Sequence, residues 1–182
     1  MKHAIRRHIK EKIKTASELE KAAKSDIIKD KLFNEEAFKK ADVVMFYVSL
    51  KDEVNTLMMI DEALKAGKRV CVPVIFREDR RFIAGEIKDR AFDLEKRHFG
   101  IYQPKKGHVR EVPLGDIDLV VVQGVAFDTH NVRLGRGHGY YDRFLSGLPD
   151  DAKTIGLAFD FQVVERLPRD SHDIPVWKTI TA

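Results

Sequence analysis

Apolar positions along the chain change period several times, and each change marks an element. Ile5, Ile9 and Ile13 recur every fourth residue among basic neighbours, which is one stripe along an α-helix. Ser17 followed by Glu20 fits a capping box opening a second helix, with its apolar residues at Leu19, Ala22, Ile27 and Leu32. Residues 43–48 then form an unbroken run of strand formers, apolar on both faces as in a central parallel strand. Residues 56–66 return to helical spacing through Leu57, Ile60, Ala63 and Leu64, and Gly67 stands where a helix C-terminal glycine belongs. Further buried strands are expected at 69–75, 119–122 and 155–158. A helix is expected from Tyr140 onward through Tyr141, Phe144 and Leu145.

Helices alternating with nearly all-apolar strands imply a sheet covered on both faces. The expected fold is therefore α/β, a three-layer, open, mostly parallel sheet of Rossmann-like type, with residues 1–182 as a single domain. Such sheets bind ligands beyond the carboxyl ends of their strands, here the segments after Val48, Ile75 and Val122. Composition agrees: 43% of the 182 residues are hydrophobic and 34% charged, enough of both for a core and a solvated surface. No apolar run approaches the ~18–20 residues of a membrane span, and MKHAIRRHIK lacks a secretory apolar region, so a cytoplasmic protein is expected. The one cysteine, Cys71, sits in RVCVPVI as a small buried hydrophobe. Charge adds a bias rather than a class. The net is +4, densest at Lys2, Arg6, Arg7, Lys10, Lys12 and Lys14. Without interleaved aromatics or a reader motif, that segment does not predict a nucleic-acid partner.

Candidate chemistry concentrates after the strand at 119–122. Gly135, Gly137 and Gly139 alternate with Arg136 and His138, and Arg133 precedes them. Alternating glycines let backbone N–H groups approach an anion, and the arginines add forked cationic donors suited to phosphate oxygens. The helix beginning at Tyr140 would turn further N–H groups toward the same anion. Asp142 is a carboxylate of the kind magnesium takes beside phosphate. A P-loop is excluded because no Lys-Ser/Thr pair follows the glycines, and the spacing also departs from a dinucleotide fingerprint. The histidines show no zinc-binding spacing.

The segment GVAFDTHNVRLGRGHGYYDR resembles the signature of the 5-formyltetrahydrofolate cyclo-ligase (methenyltetrahydrofolate synthetase) family, roughly P-G-x-A-F-D-x-x-G-x-R-L-G-R-G-x-G-Y-Y-D. Weaker likenesses surround it in the right order. They are Lys2–Arg6, Val48–Thr56 (VSLKDEVNT), Gly100–Pro104 (GIYQP) and His172–Val176 (HDIPV). Three positions depart from the pattern: Gln123 stands in place of proline, Asn131 in place of glycine, and Trp177 where aspartate is frequent.

The resemblance implies ATP- and magnesium-dependent conversion of 5-formyltetrahydrofolate to 5,10-methenyltetrahydrofolate, with ADP and phosphate released. It places ATP at Lys2, Arg6, Arg133, Leu134, Gly135, Arg136, Gly137, His138, Gly139, Tyr140 and Tyr141. The folate falls at Val48, Glu53 and Arg136 to Tyr140, the reacting groups at Arg136 and Tyr140, and magnesium at Asp142 and Asp173. Its partners would be small molecules only, with no nucleic acid or membrane, and the chain a monomer or weak homodimer. A second reading keeps ATP and a folate-like ligand with another activity or none. Phe99 and Tyr102, flanking Gly100, read most simply as core packing, with an aromatic cover for the pterin as the other reading. Arg136→Ala and Asp142→Ala are each expected to cut turnover while leaving the fold intact.

Overall fold

The computed structural model describes residues 1–79, 81–97 and 100–182, so Phe99 lies outside the described residues. Helices α1 (Lys2–Thr15), α2 (Glu18–Asn34) and α3 (Glu36–Lys40) lead into β1 (Val43–Met45). After α4 (Leu57–Lys65) come β2 (Arg69–Phe76) and β3 (Arg81–Ile87). Short elements α5 (Arg90–Asp93), β4 (Leu94–Lys96), β5 (Tyr102–Pro104) and β6 (Arg110–Val112) follow. Then β7 (Leu119–Val122), β8 (Ala126–Asp128) and β9 (Arg133–Leu134) precede α6 (Tyr140–Leu145). Last are β10 (Lys153–Ala158), β11 (Val163–Val164) and β12 (Lys178–Thr181).

The main sheet has seven strands in the order β12-β10-β7-β1-β2-β3-β6. The first five run parallel, and β3 and β6 extend the sheet antiparallel. Successive residues of β1 and β7 face opposite sides. Val44, Leu119 and Val121 join Ile28, Leu32, Met59 and Ile60 beneath α2 and α4. Val43, Met45, Val120 and Val122 pack instead with Phe144 and Leu145 of α6. Each fully buried aliphatic side chain contributes about 1.5–3 kcal/mol, so the doubly covered centre is the firmest part of the molecule. That is where the strand ends meet the loops. β1 is shorter than the run 43–48 suggests: Phe46 donates a last ladder bond to Cys71 O at 2.9 Å, and the chain then leaves the sheet.

Two local expectations change. On α2, Ser17 caps as expected, accepting the Glu20 N–H at 3.0 Å, but the inward face is Lys21, Ser25, Ile28 and Leu32. Leu19, Ala22 and Ile27 are exposed. Two polar residues occupy the helical stripe because they have polar partners. Ser25 Oγ accepts the Asn55 N–H, and Lys21 pairs with Glu18 and lies near Asp52. Tyr102 is half exposed rather than core. Its strand neighbour Gln103 takes the inward face, fully buried, its Oε1 accepting the Ile75 N–H at 2.9 Å.

Among the described residues, the buried stripe of α1 belongs to a core separate from those of the main sheet. It packs on the three-stranded sheet β11-β8-β9, where Ile9 and Ile13 meet Ala126, Val132, Leu134 and Leu167. This swings the helix start, with Lys2 and Arg6, over the glycine segment that follows β9.

Candidate functional site

Two loops form opposite walls, one leaving the carboxyl end of the central strand β1 and the other following β9 of the small sheet. The first, between β1 and α4, carries Glu53 and is tied down along its length. Thr56, fully buried, donates its hydroxyl to Tyr47 O at 2.5 Å and accepts the Ser49 N–H at 3.1 Å. Its own N–H donates to Ser49 Oγ, and Tyr47 OH donates to Val54 O, both at 3.1 Å. The Glu53 side chain is itself engaged: Oε2 accepts the Leu50 N–H at 2.8 Å. Oε1 accepts both Gln123 Nε2 and Arg136 Nη2 at 2.5 Å.

The second wall is the glycine loop. Asn131 opens the approach at φ +61°, in the left-handed region that asparagine tolerates in place of the family's glycine. Gly137 holds φ +99°, a conformation closed to residues with a Cβ. Arg6 reaches in from α1 and donates Nε to Gly135 O at 2.8 Å. The two loop arginines divide. Arg136 is half exposed and meets Glu53, whereas Arg133 is 3% exposed and donates to Asp142 Oδ1 at 2.7 Å. Arg133 therefore supports the loop from beneath, with little of its side chain open to the cleft. Leu134 likewise gives only its backbone, because its side chain is buried against α1. Helix α6 has six residues, beginning after Gly139, so it aligns few peptide dipoles and adds less to an anion site than a long helix. Tyr141 packs edge-on against Phe82 at 5.1 Å. Burial, with a smaller push from Glu53, holds its hydroxyl above the ordinary tyrosine range despite nearby Arg133, so it stays protonated. His138 is exposed, with its ring 6.3 Å from that of Tyr140.

The rim closes with Lys2 between two aspartates, at 2.7 Å from Asp170 Oδ2 and 2.5 Å from Asp173 Oδ2. Burial pulls the ammonium down, yet these hydrogen bonds and charges outweigh it and raise its pKa. Burial pushes the Asp173 carboxyl up, but the Asp170 N–H and Lys2 together leave it below the usual range. Asp170, His172 and Asp173 bring one ligand atom each within 4.8 Å of one another, the single such group among the described residues. Trp177 is half exposed, and its backbone N–H donates to Thr154 Oγ1 at 2.9 Å.

These walls enclose one cavity of about 1110 Å³. Lys2, Arg6, Val48, Glu53, Arg133 through Asp142 and Asp173 all line it, so the residues singled out in the sequence converge on one space. Sequence reading missed Gln123, Phe82 and Ile101, which also face it. Gln123 had one available signal, its position immediately after β7. Phe82 had none, since β3 is set in the sheet by its long-range pairing with β2 and β6.

The family model described as the 5-formyltetrahydrofolate cyclo-ligase family matches residues 1–182. The chain belongs to this family. It is 29% identical over 183 residues to the mouse 5-formyltetrahydrofolate cyclo-ligase, covering 96% of this chain and 90% of that one. With the cyclo-ligase of Escherichia coli K12 it shares 35% identity over 147 residues, 78% of each chain. Among solved structures it is similar to the Aquifex aeolicus 5,10-methenyltetrahydrofolate synthetase, with TM-score 0.86 and 35% identity over 99% of this chain and 89% of that one. The Mycoplasma pneumoniae synthetase gives TM-score 0.78 and 26% identity over 98% and 97%. The cyclo-ligase neighbours share the mixed α/β architecture with its mostly parallel central sheet.

Proposed function

We propose that the cavity seats the triphosphate of ATP on the glycine loop and 5-formyltetrahydrofolate against Val48 and Glu53. The chain then carries out the reaction of its family, converting that folate to 5,10-methenyltetrahydrofolate while ATP becomes ADP and phosphate. One observation carries this reading. A single space of about 1110 Å³ has a cationic glycine loop on one wall and a strand-end carboxylate on the other. It exceeds the ~300–1,000 Å³ usual for one small ligand.

Chemistry follows from that placement. The formyl oxygen attacks the γ-phosphorus, and the bond to the β-phosphate oxygen breaks as ADP leaves. The anilino nitrogen then attacks the formyl carbon and gives up its proton, and the carbon–oxygen bond breaks with departure of phosphate. Such transfers depend on alignment and on neutralising charge at the moving phosphoryl group. Lys2, Arg6 and Arg136 supply the charge, with the backbone N–H groups of residues 135–141 and the Tyr140 hydroxyl as neutral donors. Arg133 holds the loop in shape from below. Glu53 accepts hydrogen bonds from the pterin ring.

Asp142 and Asp173 suit magnesium, which takes one or two carboxylates together with phosphate oxygens and water. In each, one oxygen is held by a protein cation (Arg133 on Oδ1 of Asp142, Lys2 on Oδ2 of Asp173), leaving the other for the metal. Magnesium bound there would neutralise phosphate charge. We place the chain in the cytoplasm, as a monomer or weak homodimer whose residues 1–182 act as one unit. A buried, unpaired Cys71 suits a reducing compartment, and among the described residues no helix is long and apolar enough to cross a membrane.

The test is to follow the methenyl chromophore by absorbance with ATP, magnesium and 5-formyltetrahydrofolate, alongside thermal melting with each ligand and with both. Chromophore growth that requires ATP, with the largest melting shift for both ligands together, is the expected outcome. Melting shifts without chromophore would instead favour a family member that binds these ligands and does other chemistry.

A further inference from the structure

Gln123 is the polar side chain at the carboxyl end of β7, a strand fully buried and paired on both sides by β1 and β10. Its amide Nε2 reaches across the cavity wall to Glu53 Oε1 at 2.5 Å. Arg136 Nη2 meets the same oxygen at 2.5 Å, and the Leu50 N–H takes the other at 2.8 Å. With three donors already on it, the carboxylate has little capacity left for a ligand, since two oxygens offer about four acceptor positions. One position remains, so a pterin edge presenting two N–H donors displaces one of the three.

The partners differ in their freedom to leave. Arg136 is 52% exposed on the glycine loop, and its charge is wanted at the phosphoryl group. Gln123 is anchored by the sheet centre, and Leu50 donates through its backbone. A neutral amide also orients a carboxylate without cancelling its charge, as a guanidinium would. The family pattern carries proline at this position, which has no donor to offer.

We propose that Gln123 is a positioning residue for the folate: its amide keeps the Glu53 carboxylate facing the ligand once Arg136 has left it for the phosphate. This rests on the reading that Glu53 receives the pterin, and the test separates the two.

Gln123→Met keeps side-chain length and removes the donor, and Gln123→Leu removes it with a shorter chain. Steady-state kinetics on each should show the KM for 5-formyltetrahydrofolate raised about tenfold, with kcat and the KM for ATP within about twofold, the loss expected for one hydrogen bond to a charged group. Since Gln123 works only through Glu53, the double variant Glu53→Gln/Gln123→Met should have the folate KM of Glu53→Gln alone. An unchanged folate KM in both Gln123 variants, with Glu53→Gln impaired, overturns the role of Gln123 and leaves the folate site standing. Losses that multiply in the double variant, or a fall confined to kcat, overturn it as well. An unaffected folate KM in Glu53→Gln removes the site reading itself, and Gln123 with it.

Discussion

Arg133 and Arg136 lie three positions apart on one segment, and each is bonded to a carboxylate, yet their surroundings are opposite. The Arg133 side chain is 3% exposed and Asp142 18%, while Arg136 is 52% exposed with Glu53 at 10%. Charges sequestered from water are costly to leave unpaired, so removing one partner of a buried pair is severe. An exposed guanidinium keeps much of its hydration and exchanges partners at little cost. One arginine thus builds the cradle, and the other is available to whatever enters it.

Asp142→Ala should break this contrast most forcibly. It strands the Arg133 charge, at a cost of about 3–5 kcal/mol in urea unfolding. The sequence-based expectation that this variant leaves the fold intact therefore gives way to one of marked destabilisation. A cost under about 1 kcal/mol would show that Arg133 behaves as a surface charge. Arg136→Ala should do the reverse: turnover falls about 10²–10³-fold, as for loss of a donor to the transferring group, while stability changes by less than about 1 kcal/mol, because the buried Glu53 keeps its Leu50 and Gln123 donors.

The smallest effect uses Cys71 as a gauge of core integrity. Burial pushes its thiol from 9.0 up to about 12. Above pH 9 the unfolded chain therefore releases this proton while the native chain keeps it, so stability declines as pH rises, by at most about 1.4 kcal/mol per unit. Cys71→Ala should lack that slope when its urea midpoints are compared with the parent's between pH 8 and 10. At pH 8, thiol labelling of Cys71 should quicken in Asp142→Ala and stay at the parent rate in Arg136→Ala.

How much of this was visible in the amino-acid order depends on range. The stripe Ile5–Ile9–Ile13, the runs through Val44 and Val120, and the glycine loop are local patterns, and the alternation of helix with apolar strand implied the parallel core. What escaped was decided by partners far along the chain. Arg81–Ile87 mixes charged, apolar and glycine residues, and is a strand because β2 lies beside it. Lys21 and Ser25 face inward because Asp52 and Asn55 are there to meet them. Residue type likewise did not distinguish Arg133 from Arg136, since the difference is burial. Gln123 read only as a replacement for the pattern's proline, and its contact with Glu53 spans 70 positions.

The mounting of α1 on the small sheet has a consequence for synthesis. Arg6 meets Gly135 across 129 positions, and the surface that receives Ile9 and Ile13 is contributed by residues from Ala126 to Leu167. As the polypeptide leaves the ribosome, its first helix emerges long before that surface exists. The residues of α1 must wait, unsheltered, for a surface made far later in the chain before they can close over the glycine loop.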